Sequence, residues 1–147
     1  MAAQEMQHLK HCELPETEIK GEIERLKEIQ NLNGHIDVTE FKSQLKETMW
    51  RETIVIRTEE KLKGALNKIN DLENQFKFCG TQKYQQLICA LEFQNLIEVG
   101  RAIILAALHR RESRGSHYRE DFPQLDPSWN KKILLRKQNE NISIFEE

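Results

Sequence analysis

Glycine is scarce and scattered in this sequence. The six glycines stand at 21, 34, 64, 80, 100 and 115, and none of them makes G-x-G-x-x-G. Such a turn lets backbone N–H groups close on a pyrophosphate at a helix N-terminus, so its absence excludes that kind of nucleotide cradle. Cysteine is rarer still. Cys12, Cys79 and Cys89 are an odd set at unrelated spacings, which argues against a disulfide framework and for reduced thiols in a cytosolic setting. Neither sign of charge is in surplus, with 22 Lys and Arg against 24 Asp and Glu, so no global field draws nucleic acid or an anionic membrane. A long hydrophobic run is missing too. Leu87 to Leu108 comes nearest, but Glu92, Gln94, Asn95, Glu98 and Arg101 interrupt it, which suits a buried bundle helix better than lipid. The polar N-terminus offers no apolar segment of the kind that opens a secretory signal. His8, His11 and Cys12 lie close together, but three groups near a chain end fall short of a closed ligand set, so no metal is expected.

What the chain does have is helical period. Its 147 residues, 38% hydrophobic and 31% charged, suffice for one helix-rich domain. Residues 1–15 show no sustained period and end at Pro15; they read as a tail or linker. From Glu16, the residues Ile19, Ile23, Leu26 and Ile29 line one helical face, which is expected to be buried. Asn33-Gly34 stops that helix. A second helix begins near Asp37 or Thr39, with Val38, Phe41, Leu45 and Met49 on its buried stripe and Trp50 beside it. The β-branched run Thr53-Ile54-Val55-Ile56 predicts a break or bend. Thr58 is an N-cap followed by Glu59 and Glu60, which favour the positive end of a helix dipole. Leu62, Ala65, Leu66, Ile69, Leu72 and Phe76 then make a clean face that ends at Cys79-Gly80-Thr81. The last helix runs from about Gln82 to Arg111. It is apolar on several sides, and so is expected to be the central rod. Beyond it, Phe122-Pro123 and Asp126-Pro127 exclude helix, and Ile133-Leu134-Leu135 and Ile142-Ser143-Ile144-Phe145 read as a β-hairpin.

The predicted fold is mainly α. It is an up-and-down, spectrin-repeat-like three-helix bundle with an extra short helix and a C-terminal extended tail. The boundaries are a tail at 1–15, the bundle at 16–114 and the tail with its hairpin at 115–147. Trp50 and Trp129 are expected to anchor a core or an interface.

The densest chemistry lies just behind the central rod, where residues 111–123 read RESRGSHYREDFP. Arginine forks there could meet carboxylates, and Arg110, Arg111, Arg114 and Arg119 around Tyr118 could face a nucleic-acid strand. Glu112, Glu120 and Asp121 cancel much of that field. The structural reading has Gly115 as a left-handed exit from the long helix, with Glu112, Arg114, Arg119, Glu120 and Asp121 in an ion-pair network that holds geometry. His117 titrates nearest neutral pH but has no second acid or base spaced to work with it, and reads as a hydrogen-bonding strut.

This run resembles the C-terminal signature of the flavoprotein subunits of succinate dehydrogenase and fumarate reductase, and of L-aspartate oxidase. Their Glu-Ser-Arg-Gly-small-His-x-Arg-x-Asp pattern is met by Glu112, Ser113, Arg114, Gly115, Ser116, His117, Arg119 and Asp121. Met49-Trp50 and the stretch from Ile54 through Arg57 to Leu62 are similar to the family's Met-Trp and Val-Gly-Ile-Val-Arg-x-Glu-Glu-x-Leu segments, with Ile54 or Val55 where the family has glycine. Asn95-Leu96-Ile97-Glu98-Val99 and the Asp126–Trp129 spacing also match. Lys-His-Thr, frequent after that tryptophan, is not met by Asn130-Lys131-Lys132.

The resemblance implies the helical C-terminal domain of an FAD-dependent oxidoreductase that moves hydride between a dicarboxylate and flavin N5. The flavin domain that it would buttress, with its cofactor and substrate groups, is absent, as is the histidine-bearing flavin-attachment motif. By that resemblance Arg57, Glu112, Arg114, His117, Arg119, Asp121 and Trp129 form a domain-docking network. Catalytic, cofactor-binding and metal-binding residues are expected on other domains, FAD belongs to the parent, and this chain alone is expected to be inactive. Expected partners are the flavin domain, a second copy of the chain and an iron–sulfur subunit, without nucleic acid or membrane insertion. The expected location is the cytoplasm, with peripheral attachment to the membrane through partner subunits. The parent's substrate stays open among succinate, fumarate and aspartate. The other reading is a stand-alone helical interaction module without redox role, offering an apolar groove to a partner helix.

Overall fold

Local capping chemistry sets the helix boundaries. The computed structural model describes residues 15–138 and 141–147; the His8, His11 and Cys12 cluster and the tail before Pro15 lie outside the described residues. Helix α1 spans Glu16–Gln30. Helix α2 spans Val38–Thr53, and the Asp37 carboxylate accepts the Thr39 N–H at its start. Helix α3 spans Glu59–Gln75, capped by the Thr58 hydroxyl oxygen, which accepts from the Lys61 N–H. A single 3₁₀ turn, Phe76–Phe78, follows. Helix α4, Tyr84–His109, is the longest at 26 residues.

Helices α2, α3 and α4 close the core among themselves. Val38, Phe41 and Leu45 meet Leu62, Ala65, Ile69 and Leu72 of α3 and Ala90, Phe93, Ile97 and Ile104 of α4. Phe93 lies 5.5 Å from Phe76 in a stacked pair and 5.8 Å from Phe41 in a tilted one, aromatic geometries that add to burial. Gly100 lets the helices approach, since a Cβ there would stand 3.1 Å from Ile69 Cδ1 and 3.3 Å from Met49 Sδ. Helix α4 also touches α1 and the hairpin, as a central rod should.

The α1 stripe departs from expectation. Only Ile29 is buried, while Ile19 and Ile23 are each 45% exposed. The three-helix core is already complete, so α1 buries only Ile29 of its last turn, and Arg25 reaches Gln94 Oε1 of α4 from the turn before. Its C-terminus is tied by the buried Thr81, whose hydroxyl donates to the carbonyls of Ile29 and Leu32 at 2.5 and 3.2 Å. The segment after α1 lies against the segment after α3. The Gly34 N–H donates to Cys79 O at 2.9 Å, and the Gly80 N–H donates to Ile36 O at 3.1 Å. A Cβ on Gly34 would fall 1.7 Å from Phe78 O, so only glycine fits there.

Two small sheets complete the fold. Strands β1 (Ile56–Arg57) and β2 (Tyr118–Arg119) pair in parallel. Strands β3 (Ile133–Gln138) and β4 (Asn141–Glu146) form the expected antiparallel hairpin, with Leu135 opposite Ile144. Residues 139 and 140, between the two strands in sequence, lie outside the described residues. Two further expectations need correction. Of the two roles expected for Trp50, core or interface anchor, the core one fails, since it is 71% exposed. The long helix ends at His109, since Arg110 is already extended at φ −76° and ψ 109°. Gly115 therefore does not end a helix. At φ +56° it opens the two-residue turn between Arg114 and His117, a backbone that glycine takes without strain.

Candidate functional site

Three helix ends meet at one pole of the bundle, and the signature binds each of them. Helix C-termini leave carbonyls unpaired and carry partial negative charge, while N-termini leave N–H groups and carry partial positive charge. Arg119 is fully buried. Its Nη1 donates to the carbonyls of Ala107, Leu108 and Arg110 at 2.7, 3.3 and 3.3 Å, which caps α4. Its Nε and Nη2 fork onto the Asp121 carboxylate, both at 2.7 Å. The same carboxylate accepts the Glu59 N–H at 2.9 Å, at the first turn of α3. Arg119 beside it and that N–H hold the Asp121 carboxyl at about 2, well below the usual carboxylate range.

Arg57 caps α2. Its Nε and Nη2 donate to Thr53 O at 2.6 Å and Ile54 O at 2.9 Å, and its Nη1 reaches Ser116 O at 3.2 Å. The same Nη1 lies 3.4 Å from His117 Nδ1, while His117 Nε2 lies 3.3 Å from Arg110 O. These partners assign the proton to Nε2 and leave Nδ1 as acceptor, the neutral imidazole. Burial lowers the His117 pKa, and the charges of Arg57, Arg119 and Arg110 push the same way against the Arg110 carbonyl. Burial, with Arg119 nearby, also lowers that of Arg57.

Glu112 holds a second layer. It is fully buried, and its carboxylate accepts from Arg110 Nη1 at 2.7 Å, Arg114 Nε at 2.8 Å and the Asp126 N–H at 3.0 Å. These donors, Arg114 foremost, bring it down to about 2. Arg110 continues to the carbonyls of Trp129 at 2.9 Å and Lys131 at 2.8 Å. Trp129 sits among cations and an aromatic edge: Arg110 at 5.7 Å, Lys131 at 5.3 Å and His109 at 5.5 Å. His109 and Lys131 both pair with Glu146, which ties the hairpin to the end of α4.

The structure thus brings Arg57, Glu112, Arg114, His117, Arg119, Asp121 and Trp129 into one connected set. Glu120 joins only through its backbone, whose N–H donates to Arg57 O at 2.9 Å. Two members stood outside the expected network. Arg110 links Glu112 to Trp129 and Lys131, just before the hairpin, and Ser113 Oγ accepts the Arg119 N–H at 2.9 Å and donates to Phe122 O at 2.9 Å. Ser113 lies within the signature and Arg110 just before it, which was the available signal, but nothing local says which carbonyl an arginine will reach.

Chemically, this is a brace. Buried Arg119 and Glu112 are committed to protein atoms, and both nitrogens of His117 have neighbours within the chain. The N-termini of α2 and α3 and the glycine before α4 do not fit a flavin pyrophosphate. Helices α2 and α3 open on the side chains of Asp37 and Thr58, and the space at Gly80 before α4 is filled, since a Cβ there would meet Gly34 O at 2.7 Å. No catalytic step is therefore routed through a flavin on this chain.

Residues 42–146 match the family described as fumarate reductase flavoprotein C-term. An uncharacterised FAD-dependent oxidoreductase of Methanocaldococcus jannaschii is 35% identical over 111 residues, covering 76% of this chain and 21% of that protein. The fumarate reductase (CoM/CoB) of Methanothermobacter marburgensis contributes a polypeptide that is 33% identical over 126 residues, 83% of this chain and 23% of that one. Quinol fumarate reductase of E. coli shares the fold at a TM-score of 0.81 and 21% identity, over 89% of this chain and 24% of that one. The chain spans about a fifth of the length of the curated relatives it matches. It belongs to the succinate dehydrogenase and fumarate reductase flavoprotein family, of which it is the C-terminal helical domain.

Proposed function

We propose that this chain buttresses the flavin-bearing domain of an FAD-dependent oxidoreductase acting on a dicarboxylate. In this reading the bundle, residues 16–114, is the rigid part and residues 115–147 are the tail that fixes the docking geometry. Arg57, Glu112, Arg114, His117, Arg119, Asp121 and Trp129 set the angle at which the domains meet, and none of them is a catalytic residue.

The observation that carries the reading is the convergence of three helix ends on Arg57, Arg119 and Asp121. Buried ion pairs cost desolvation and add little net stability, but they specify one geometry. A buttress needs a fixed geometry more than it needs a large stability margin. Fumarate reductase and quinol fumarate reductase are the names its relatives carry. Those names support partner subunits in general; in this reading one of them is an iron–sulfur subunit, and the enzyme lies in the cytoplasm beside the membrane. Among the described residues, no helix is long and apolar enough to cross a membrane.

The test is spectroscopic. The purified chain, incubated with FAD and desalted, is expected to retain no visible flavin band and to show no succinate- or fumarate-dependent activity. A yellow protein would overturn the reading.

A further inference from the structure

Among the described residues the hairpin sheet has two strands, so each keeps one edge without a neighbour. In an antiparallel pair, facing residues alternate between those that exchange both backbone bonds and those that exchange none. Lys132 and Glu147 exchange both, at 2.7 and 3.1 Å. Counting back by two along the register, Phe145 and Ser143 also turn their backbone groups to β3. Ile142, Ile144 and Glu146 fall between them and turn theirs outward. None of these outward N–H and C=O groups has a partner among the described residues. They form a row of alternating donors and acceptors onto which a further strand can pair.

Two observations say what covers that row. The first is charge. Edges that stay single are guarded by cationic side chains, proline or a covering element. The β3 edge is guarded: β3 carries Arg136 and Lys137, and Lys137 reaches Glu98 of α4 at 2.9 Å. The β4 edge is not. Its six residues, Asn141–Glu146, include no proline, and their one charge, Glu146, is taken by His109 and Lys131. The second is self-complementarity. With Ile144 set antiparallel against Ile144 of a second copy, Ile142 faces the copy's Glu146 and Phe145 faces its Ser143, so no like charges meet. Leu134 and Phe145, 46% and 47% exposed, lie opposite each other on the outer face of the hairpin, and the pairing doubles that apolar strip. A two-stranded hairpin is marginal in water, and three or more strands with a hydrophobic face are not.

We infer that β4 is a dimerisation strand: two copies of this chain pair β4 with β4 across a twofold axis at Ile144. The product is one four-stranded antiparallel sheet in the order β3–β4–β4–β3. Strand addition of this kind draws affinity from main-chain bonds and register from the side chains, and a twofold contact closes on itself at two copies. The inference uses none of Arg57, Arg119 and Asp121, and stands whether or not that pole buttresses a flavin domain.

The test is amide exchange read residue by residue in the whole chain at rising concentration, beside sedimentation. In dilute solution the N–H groups of Ser143 and Phe145 are expected to be protected, and those of Ile142, Ile144 and Glu146 open. As the dimer forms, exchange of the second set is expected to slow by about tenfold or more, so that the alternation disappears. Ile144→Pro removes the N–H at the axis and spares the bonds to β3. It is expected to hold the chain monomeric with Ser143 and Phe145 still protected; should the proline free those two as well, the unsubstituted chain decides alone. A chain that stays monomeric at millimolar concentration would overturn the inference. So would a dimer in which Ile142, Ile144 and Glu146 remain open, because another face would then join the copies. Protection of those three amides at every concentration would overturn it too, because the chain itself would then cover the edge.

Discussion

Arg119 is a charged fork with no water around it, and its value lies in its acceptors. Replacing it with methionine keeps the length but strands the Asp121 carboxylate and three carbonyls at the end of α4. Arg119→Met is expected to destabilise the domain by about 3–5 kcal/mol, read by urea unfolding. Arg119→Lys should recover only part of the loss, because an ammonium cannot cap the helix and fork onto the carboxylate together. The same pole sets the pH dependence. Folding lowers the Glu112 and Asp121 pKa values to about 2, so at acidic pH the unfolded chain binds more protons. Their stabilisation is complete above the ordinary carboxylate range and drains away as pH falls from about 5 toward 2. His117, also lowered, adds to the loss, starting below about pH 6.5, since acid must charge a buried ring. Glu112→Gln should flatten the acid limb of a stability-versus-pH curve. An unchanged limb would show that Glu112 is not the titrating group.

At the scale of elements, the crossing of residues 32–36 over 78–81 is the tightest joint. Gly34→Ala drives a Cβ into the Phe78 carbonyl, where backbone rather than a side-chain tip must move. A loss of about 3 kcal/mol in thermal or urea unfolding is expected, with α1 exchanging its amides faster than α2 to α4. The hairpin is held by Lys137 on Glu98 of α4 and by Glu146 on His109 and Lys131, beside the Trp129 clamp. Trp129→Ala removes the ring that Arg110, Lys131 and His109 surround, at a cost of about 2 kcal/mol. Amide protection in β3 and β4 should fall while far-UV helix signal holds. Much of this level was written in the sequence. Asp37 and Thr58 cap where their side chains predict, and the Leu62 to Phe76 face is buried as its period requires. The pair β1 and β2 was not readable, because two residues carry no period and their partner lies across the chain.

For the whole molecule, the contrast between the two tryptophans matters most. Trp50 stands in water and Trp129 is clamped, so the two fluorophores should separate cleanly. Trp50→Phe is expected to remove the red-edge, acrylamide-quenchable part of the emission and leave stability within about 0.5 kcal/mol. A large loss of stability would mean that Trp50 packs inside after all. The candidate site divides in the same way. Glu112, Arg114, His117, Arg119 and Asp121 were visible as a dense run, and the structure connects them. Their partners were not visible, since Ala107 O, Thr53 O and the Glu59 N–H become acceptors and donors only once three helices end at one place.

By itself the sequence determined which segments are helical, that α2 and α3 begin at Asp37 and Thr58, and which family the chain belongs to. Those are short-range matters of period, dihedral preference and residue type. The tertiary structure alone decided that α1 would leave its stripe in water, that Trp50 would stay exposed, and that each arginine would serve a particular helix end. Those outcomes depend on which surfaces the core has already used and which carbonyls lose their water, and only the assembled bundle fixes either.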